Sequence, residues 1–419
     1  MSLLVKKKYL NGNRKYYFLG VPLLSKRRKD GCTRTYLLGI RICKRMREST
    51  LYTQTLETML DIKGLINAQI KKNTVLIIEV TESHGDVAAC MISYFLDLGY
   101  NVDIVLSSEN IIHEAVSCMN FSKDKVRVFN GNIGILKSED FAQNLVRYKW
   151  ILLNTARAWD HDNNLLFKLY HILDEIIYKN NVRFILHHAT KELMFSEELR
   201  NRMLNDAFVL FKFPILGRRL PFISATKYGS SVIEHKKNRI IKFFLSGAFI
   251  KTVRHIDSVI DSLCKLVDNG ITDFRIVLIT RTMDYAFNPP NKLLPFIEFK
   301  GKTTYPQLYD ELNDSDFIMS GQHSEKMTEY LYNRVSGNHL LSVGFAKPMI
   351  MHEEIAAAYK MDSTNTILHK ENELYDALLR CINMTEKEYD KYIKNLKSLR
   401  TKDETESLDN MRRVFGIAK

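Results

Sequence analysis

The feature that most constrains the fold is an apolar run of six residues at 75–80, Val-Leu-Ile-Ile-Glu-Val. A strand this apolar along its whole length is typical of a parallel sheet covered by helices on both faces. The next segment predicts an amphipathic helix whose apolar face is formed by Val87, Met91, Tyr94, Phe95 and Leu98. Gly99 ends this helix, and 102–106 is a second apolar strand. Together these elements predict a βαβ unit.

The same alternation continues along the chain and restarts in its second half. The first half carries further predicted strands at 126–129, 150–154, 183–187 and 208–211, and a predicted helix at 51–70. Two prolines and a glycine within 213–228 indicate an interdomain linker. The second half carries predicted strands at 240–245, 274–279, 297–300, 316–319 and 348–351, and predicted helices at 253–267, 307–312, 337–344 and after a capping box at 385–388.

The predicted fold class is α/β, with two Rossmann-like domains facing each other across a cleft. A chain of 419 residues is long enough for two or three domains. We predict a basic N-terminal extension over 1–50, a first Rossmann-like domain over 51–225 and a second, with terminal helices, over 226–419. No apolar run is long enough for a transmembrane helix. The six cysteines form no CxxC pair, which favours the reduced thiols of a cytoplasmic protein.

Nearly all of the net charge of +13 lies at the N-terminus. Residues 1–48 hold fourteen lysines and arginines and two acidic residues, whereas the rest of the chain holds 47 basic and 46 acidic residues. Two similar stretches at 17–27 and 36–45 each run aromatic, apolar, glycine, apolar and end in a basic pair, with Asp30-Gly31 as a turn signal between them. The pattern predicts a small β-hairpin.

Three roles stay open for this basic hairpin. It is either a hairpin with solvated lysines, or a platform on an anionic membrane surface, where each basic residue gains roughly 1 kcal/mol. Nucleic-acid binding is the third and least favoured role, because no recognised nucleic-acid-binding motif accompanies the charge.

The loop at 81–86 follows the first strand, at the edge where open α/β sheets place ligands. It is not GxGxxG, so the dinucleotide fingerprint is absent. His84 and Asp86 flank Gly85, and both are candidates for a catalytic base. The alternative is structural, with Asp86 as the helix N-cap and His84 exposed.

Two other motifs fail on their context. Gly301-Lys302-Thr303 resembles the end of a P-loop, but Phe296 stands where the first glycine belongs. The Asp-x-Asp pairs at 160–162 and 314–316 do not directly follow a strand, so no metal site is assigned to them.

The second half resembles the donor domain of glycosyltransferases with the two-Rossmann GT-B fold. The resemblance lies in a strand-Gly-basic-helix segment at 244–255, a segment at 297–317, and the Ser-Gly-x-x-Leu-Leu-Ser-x-Gly-Phe-x-Lys-Pro segment beginning at Ser336. Bacterial lipopolysaccharide and capsule glycosyltransferases are the most similar type. The resemblance implies an enzyme moving a sugar from a nucleotide sugar to a membrane-associated glycan or glycolipid acceptor, peripheral on the inner face of the plasma membrane, with no nucleic-acid partner.

The donor site implied by this resemblance needs no metal or other cofactor, because fixed cations and a helix N-terminus can hold the diphosphate. Its candidate residues are Gly247, Lys251, Arg254, Lys302, Thr303, Ser336, Gly337 and Asn338. For Lys251 and Arg254 the alternative is a solvated helix turn, and for Ser336 ordinary N-capping.

The sequence leaves the reaction open in two respects. Many retaining members carry paired glutamates in this region, but Leu341 stands where the second is expected, so retention or inversion is not assigned. Alternative functions are a nucleotide-sugar epimerase or polyol-phosphate transferase on the same fold, or a nucleic-acid-binding protein acting through the basic N-terminus.

Overall fold

The computed structural model of this chain comprises two compact units, Met1–Met59 and Leu60–Lys419. The residues that it describes are 4–8, 14–18, 21–29, 32–37, 40–46, 60–61, 65, 69–79, 81, 83–107, 111, 114–131, 144–145, 147–155, 181–188, 197–234, 236–247, 256–280, 289–321 and 328–417.

The first unit is a five-stranded antiparallel meander in chain order. Its strands are β1 Leu4–Lys8, β2 Arg14–Phe18, β3 Val21–Lys29, β4 Cys32–Leu37 and β5 Ile40–Met46. The predicted two-stranded hairpin is therefore wrong in its number of strands. Each repeated stretch spans the end of one strand and the start of the next, with Leu-Gly at 19–20 and 38–39 between them. The pairing of Lys29 with Cys32 leaves Asp30-Gly31 between β3 and β4, as predicted.

The second unit begins with a seven-stranded sheet of order β12-β11-β10-β7-β8-β9-β6. Every neighbouring pair in it is parallel. The strands are β6 Leu60–Asp61, β7 Thr74–Glu79, β8 Asn101–Leu106, β9 Val126–Asn130, β10 Trp150–Leu153, β11 Val182–Leu186 and β12 Ala207–Val209. The predicted strands are confirmed to within two residues at each end. The helix predicted over 51–70 is wrong at Leu60–Asp61, where pairing with β9 makes a short edge strand.

Helices connect these strands. In the described part of this half they are α1 Gly85–Asp97 and α2 Glu197–Asp206, with a 3-10 turn at Ser117–Met119. Val87, Met91, Tyr94 and Phe95 of the predicted apolar face are buried, whereas Leu98, the C-cap residue of α1, is half-buried.

A second sheet follows, of order β15-β14-β13-β16-β17-β18 and again wholly parallel. Its strands are β13 Ile241–Ser246, β14 Phe274–Ile279, β15 Ile297–Phe299, β16 Phe317–Met319, β17 Met349–His352 and β18 Ile367–His369. Its described helices are α3 Ile256–Asp268, α4 Tyr305–Asn313, α5 Thr328–Tyr332, α6 Gly337–Phe345, α7 Glu353–Ala358, α8 Leu374–Asn383 and α9 Glu386–Phe415, with 3-10 turns at Gly229–Ser231 and Asn291–Phe296.

The two sheets have separate hydrophobic cores, one centred on residues such as Ile78, Phe184 and Leu186, the other on Phe243, Leu278 and Leu378. Two layers of helix-covered parallel sheet are the architecture predicted from the sequence.

The last helix, α9, starts on the second sheet and ends on the first. Thr385 and Glu388 form the predicted capping box at its start. At its end, the Phe415 ring packs against Phe95, Trp150 and Phe208, with centroid distances of 5.3, 5.2 and 5.7 Å. This helix therefore ties the two sheets together through apolar burial. Among the described residues, no helix is both long and apolar enough to cross a membrane.

Candidate functional site

Four polar side chains meet at the carboxyl edge of the first sheet. β10 lies between β7 and β11, so the residues that end these three strands or follow them are neighbours. Glu79 ends β7, Asn154 and Thr155 follow β10, and His187 follows β11. All four are buried. Polar side chains so fully withdrawn from water require hydrogen-bond partners.

The Glu79 carboxylate accepts four hydrogen bonds. Its Oε1 atom accepts from the Thr81 backbone N–H at 2.9 Å and from the Thr81 hydroxyl at 2.5 Å. Its Oε2 atom accepts from Asn154 Nδ2 at 2.6 Å and from the Thr155 hydroxyl at 2.5 Å. Burial raises the pKa of Glu79 from 4.5 to about 7, with these hydrogen bonds opposing the rise.

His84 lies next to this network, in the loop between β7 and α1. Its ring lies on the ring of His187 with centroids 4.0 Å apart, and its carbonyl accepts from Asn154 Nδ2 at 3.3 Å. Its φ is 67°, in the left-handed region that non-glycine residues seldom adopt. His84 is the N-cap residue of α1 and is only partly exposed. The structural alternative in which Asp86 caps the helix and His84 is exposed is therefore wrong.

Asp86 lies in the first turn of α1, and its side chain reaches a residue that belongs to the half of the second sheet. The hydroxyl of Tyr305, the first residue of α4, interacts with its carboxylate. Burial is the main influence on Asp86 and raises its pKa, whereas the interactions with the Tyr305 hydroxyl and the Val87 N–H lower it.

A second contact joins the same two edges. His188, next to the end of β11, forms an antiparallel bridge with Arg334, which precedes α6. Because α1, α4 and α6 all begin beyond carboxyl ends of their strands, these contacts show that the carboxyl edges of the two sheets face each other.

Beside β13, the edge of the second sheet carries hydroxyl and amide groups, whereas β17 and β18 end in His352 and His369, whose rings lie 5.6 Å apart. Ser246, the last residue of β13, donates from its hydroxyl to Asn338 Oδ1 at 2.7 Å. This bond places the first turn of α6 beside Gly247, whose φ of 102° suits glycine. Ser336 occupies the N-cap position of α6, but its side chain makes no capping hydrogen bond. The predicted residues Gly247, Ser336, Gly337 and Asn338 therefore lie together.

Neighbouring positions on this edge are also uncharged. Thr280 follows β14 and Ser320 follows β16, and both are buried. His339, in the first turn of α6, has its pKa lowered to about 4, chiefly by burial and then by Lys212. This histidine is therefore neutral at physiological pH.

The remaining predicted donor residues lie elsewhere. Lys302 and Thr303 are in the loop between β15 and α4, at half-buried positions, two strands from β13 in the sheet order. Lys251 and Arg254 lie outside the described residues, so their predicted role is unchanged.

Several of these residues were missed by the sequence reasoning. Glu79 carried a signal, because it is the one charged residue in the apolar run at 75–80. Asn154, Thr155 and Ser246 carried the weaker signal of standing at the ends of predicted strands. Tyr305 carried none, since its contact with Asp86 depends on how the two halves meet.

The aspartates of the 314–316 motif serve the fold. Asp316 is buried and accepts from the backbone N–H groups of Asn238 and Lys242, each at 2.8 Å. Over the described part of the chain, no group of three or more histidine, cysteine or acidic side chains is arranged to hold a metal ion.

Comparison with known proteins identifies the fold. No protein-family model matches the chain, and no curated protein matches it. A solved α-glucosyltransferase, bound to UDP and a 13-mer DNA containing an HMU base, is 14% identical with a TM-score of 0.54, over 80% of this chain and 99% of that one. A UDP-N-acetylglucosamine 2-epimerase from Listeria monocytogenes, described as putative, and a glycosyltransferase from Rickettsia africae each give a TM-score of 0.53 at 10% identity, over 83% of this chain and 98% of theirs. The chain has the GT-B fold, with two Rossmann-like domains.

Proposed function

We propose that this protein is a glycosyltransferase that uses a nucleoside-diphosphate sugar. The observation that carries the proposal is the pairing of two unlike carboxyl edges across one cleft. One edge carries Glu79, His84 and Asp86, which can handle a proton. The other presents neutral hydroxyl and amide groups around a helix N-terminus, which suits a diphosphate.

The donor diphosphate would lie at the start of α6. The first N–H groups of a helix have no intrahelical acceptor, and Gly247 allows close approach of phosphate to the backbone. Ser246 and Asn338 fix the position of this turn through their 2.7 Å hydrogen bond. Lys251 and Arg254 would add the positive charge that stabilises the departing diphosphate.

The acceptor hydroxyl would lie over the first-sheet edge. Asp86 is our first candidate for the base that removes its proton, because its carboxylate lies where the two edges meet. His84, which lies two residues away in the same loop, is the second candidate. Either group would bring proton transfer next to the diphosphate cradle.

A ligand screen by thermal shift tests the proposal. A ligand that binds only the native state raises Tm by mass action, by an amount equivalent to about 2.7 kcal/mol at a hundredfold excess over Kd. The similar structures include a UDP complex and a UDP-sugar enzyme, so UDP and its sugars are the first probes, followed by GDP and CMP. No shift with any nucleotide would contradict the proposal.

Product analysis separates the enzymatic alternatives. Incubation with a UDP-sugar and a glycan acceptor should release UDP only when an acceptor is present. Conversion of the sugar to its epimer without transfer would instead identify an epimerase, and transfer of a polyol phosphate would identify the third reaction.

We further propose that the acceptor is a membrane-associated glycan or glycolipid, as in lipopolysaccharide or capsule synthesis, and that residues 1–48 bind the anionic inner face of the membrane. Their twelve excess positive charges support this proposal. The full chain should sediment with vesicles containing phosphatidylglycerol, and a variant lacking 1–48 should not. Vesicle binding that survives the deletion would contradict it, and steeply salt-dependent binding to DNA instead would favour the nucleic-acid alternative.

A further inference from the structure

Among the described residues, Glu79 is the one fully buried carboxyl of the first-sheet edge, and the proposed reaction does not use it directly. We infer that Glu79 is a positioning residue, which holds His84 and its loop in place for the reaction through Thr81, Asn154 and Thr155. This inference rests on the proposed function for the role of His84, but not for the network itself.

The Glu79 carboxylate is fully hydrogen-bonded. An ionised carboxylate accepts about four hydrogen bonds, and Glu79 receives four, from Thr81 twice and from Asn154 and Thr155. Thr81 belongs to the loop after β7, whereas Asn154 and Thr155 follow β10. One carboxylate therefore joins the ends of two adjacent strands.

This anchor continues outward to the histidines. Asn154 bonds Glu79 and also donates to the His84 carbonyl at 3.3 Å. The Asn154 carbonyl lies 2.7 Å from His187 Nε2, so this nitrogen carries the hydrogen, and the His187 ring supports the His84 ring. Asn154 thus fixes both the backbone of His84 and the ring beneath it.

The backbone conformation of His84 is unusual for a non-glycine residue. Its left-handed backbone is strained for a residue with a side chain, and such strain persists only where the surroundings impose it. Besides the helical bond from the Ala88 N–H at 3.1 Å, the His84 carbonyl receives the bond from Asn154. The hydrogen-bond network around Glu79 supplies that constraint.

Thr81 can also transmit the protonation state of Glu79 to the loop. The Thr81 hydroxyl has one proton, and its nearest acceptors are Glu79 Oε1 at 2.5 Å and the Ser83 carbonyl at 2.8 Å, with the Ser83 hydroxyl farther away at 3.5 Å. It donates to an ionised Glu79. A protonated Glu79 would instead donate to Thr81, whose hydroxyl would then donate to Ser83, next to His84. The pKa of about 7 for Glu79 makes both states accessible near neutral pH, and the titratable groups facing the network are His84 and His187.

A purely structural role explains the network less well. Burying a carboxylate costs several kcal/mol, and well-packed apolar residues of similar volume often stabilise a fold equally or better. A charge retained beneath two histidines and beside the cleft is better explained by what it positions.

Nuclear magnetic resonance of the full chain, labelled with ¹⁵N in its histidine rings, tests the inference without any substrate. Glu79→Gln keeps the size of the side chain but replaces two acceptor sites by donors. The ring signals of His84 and His187 should move and their titration curves should change. Signals are assigned with His84→Gln and His187→Gln. Glu114→Gln, a buried glutamate of the same half that is outside the network, is the matched control and should move neither.

A second pair of variants tests the network at its other end. Thr155→Val removes the hydroxyl at constant shape, and Thr155→Ser keeps it. If the network positions His84, Thr155→Val should move the same two histidine signals and lower kcat by about tenfold, the effect of 1.4 kcal/mol, with the KM for the nucleotide sugar unchanged. Thr155→Ser should retain the wild-type signals and kcat.

The histidine signals and nucleotide binding together distinguish failure of the positioning role from failure of the proposed function. Histidine signals that stay in place in both Glu79→Gln and Thr155→Val overturn the positioning role. Signals that move as expected in a protein that binds no nucleotide support the positioning role and overturn only the proposed function.

Discussion

The two carboxyl edges that meet in the cleft differ in their chemistry. The first sheet presents buried or half-buried ionisable groups, among them Glu79, Asp86 and His187. Around the start of α6 the second presents Ser246, Ser336 and Asn338, which are buried and neutral. Ionisable groups with shifted pKa values are common where protons are exchanged, whereas neutral donors bind an anion over a wide pH range. The contrast indicates a division of work, with proton handling on one edge and phosphate binding on the other.

The free-energy cost of burying the polar groups differs between the two edges in the same way. Burial raises the pKa of both Glu79 and Asp86, so their charged forms are unfavourable in the folded state. On the second edge, the Ser246–Asn338 bond satisfies both groups without a charge. Variants that act on only one edge can therefore test whether the division is real.

The largest effect is expected from Asp86→Asn. If Asp86 is the base, removing its charge should lower kcat by roughly 10²- to 10⁴-fold, because the amide cannot accept the proton of the acceptor hydroxyl. The affinity for the nucleotide sugar should stay within about twofold of wild type, well below the tenfold that 1.4 kcal/mol represents, since the proposed donor site lies on the other edge. Steady-state kinetics and calorimetric titration with UDP check the two halves of this prediction.

Asp124→Asn, at an exposed carboxylate of the same half, is the matched control for this variant. Full turnover in Asp86→Asn would remove Asp86 from the reaction and leave His84 as the candidate base.

Glu79→Gln should change how stability depends on pH. The folded state binds the Glu79 proton more tightly than the unfolded chain does, since the pKa is raised from 4.5 to about 7. This contribution to stability is complete below pH 4.5 and is lost as the pH rises through 7. The advantage of wild type over Glu79→Gln should therefore fall by about 3 kcal/mol between those limits.

Urea unfolding at pH 4.5 and pH 8 measures this difference. Equal m-values for the two proteins are the control for a common unfolding transition. A stability difference that does not vary with pH would show that Glu79 has an ordinary pKa.

The sheets were predictable because the relevant signals are local. Apolar runs such as 75–80 and the turn residues around them located most strands to within two residues. The capping box at Thr385 located the start of α9 for the same reason. The exceptions are short edge elements such as Leu60–Asp61, whose strand conformation depends on pairing with β9 rather than on its own pattern.

The site was predictable only in part, because its contacts join residues far apart in the chain. The loop of His84 and Asp86 followed from the rule for carboxyl edges, and α6 from resemblance. The bond from Tyr305 to Asp86 depends on how the two domains close. The four bonds to Glu79 depend on the register of β7 and β10. Neither of these geometries leaves a pattern in the sequence.

A smaller effect is expected on the donor edge from Ser246→Ala. The change leaves Asn338 Oδ1 buried without its donor, which costs about 1–3 kcal/mol. The first turn of α6 would be less well fixed, so the affinity for UDP should fall by about tenfold, equivalent to 1.4 kcal/mol. The pH profile of kcat should stay as in wild type, because no ionisable group is touched.

Calorimetric titration measures the affinity for UDP, and Ser262→Ala, at a buried serine on α3, is the matched control for loss of a hydroxyl. A shifted pH profile in Ser246→Ala would contradict the division between the two edges.

The smallest effect, and the most direct test of how the edges cooperate, is expected from Tyr305→Phe. The hydroxyl of Tyr305 lowers the pKa of Asp86 from across the cleft, so its removal should raise that pKa and move the acid limb of kcat/KM to higher pH. On that limb, activity should fall by up to about tenfold, the worth of one hydrogen bond, while activity at alkaline pH is unchanged. Tyr309→Phe is the matched control, since the Tyr309 hydroxyl lies on the same helix, buried and without a hydrogen-bond partner. An acid limb that does not move, or that moves equally in both variants, would mean that the donor half does not control the protonation of Asp86.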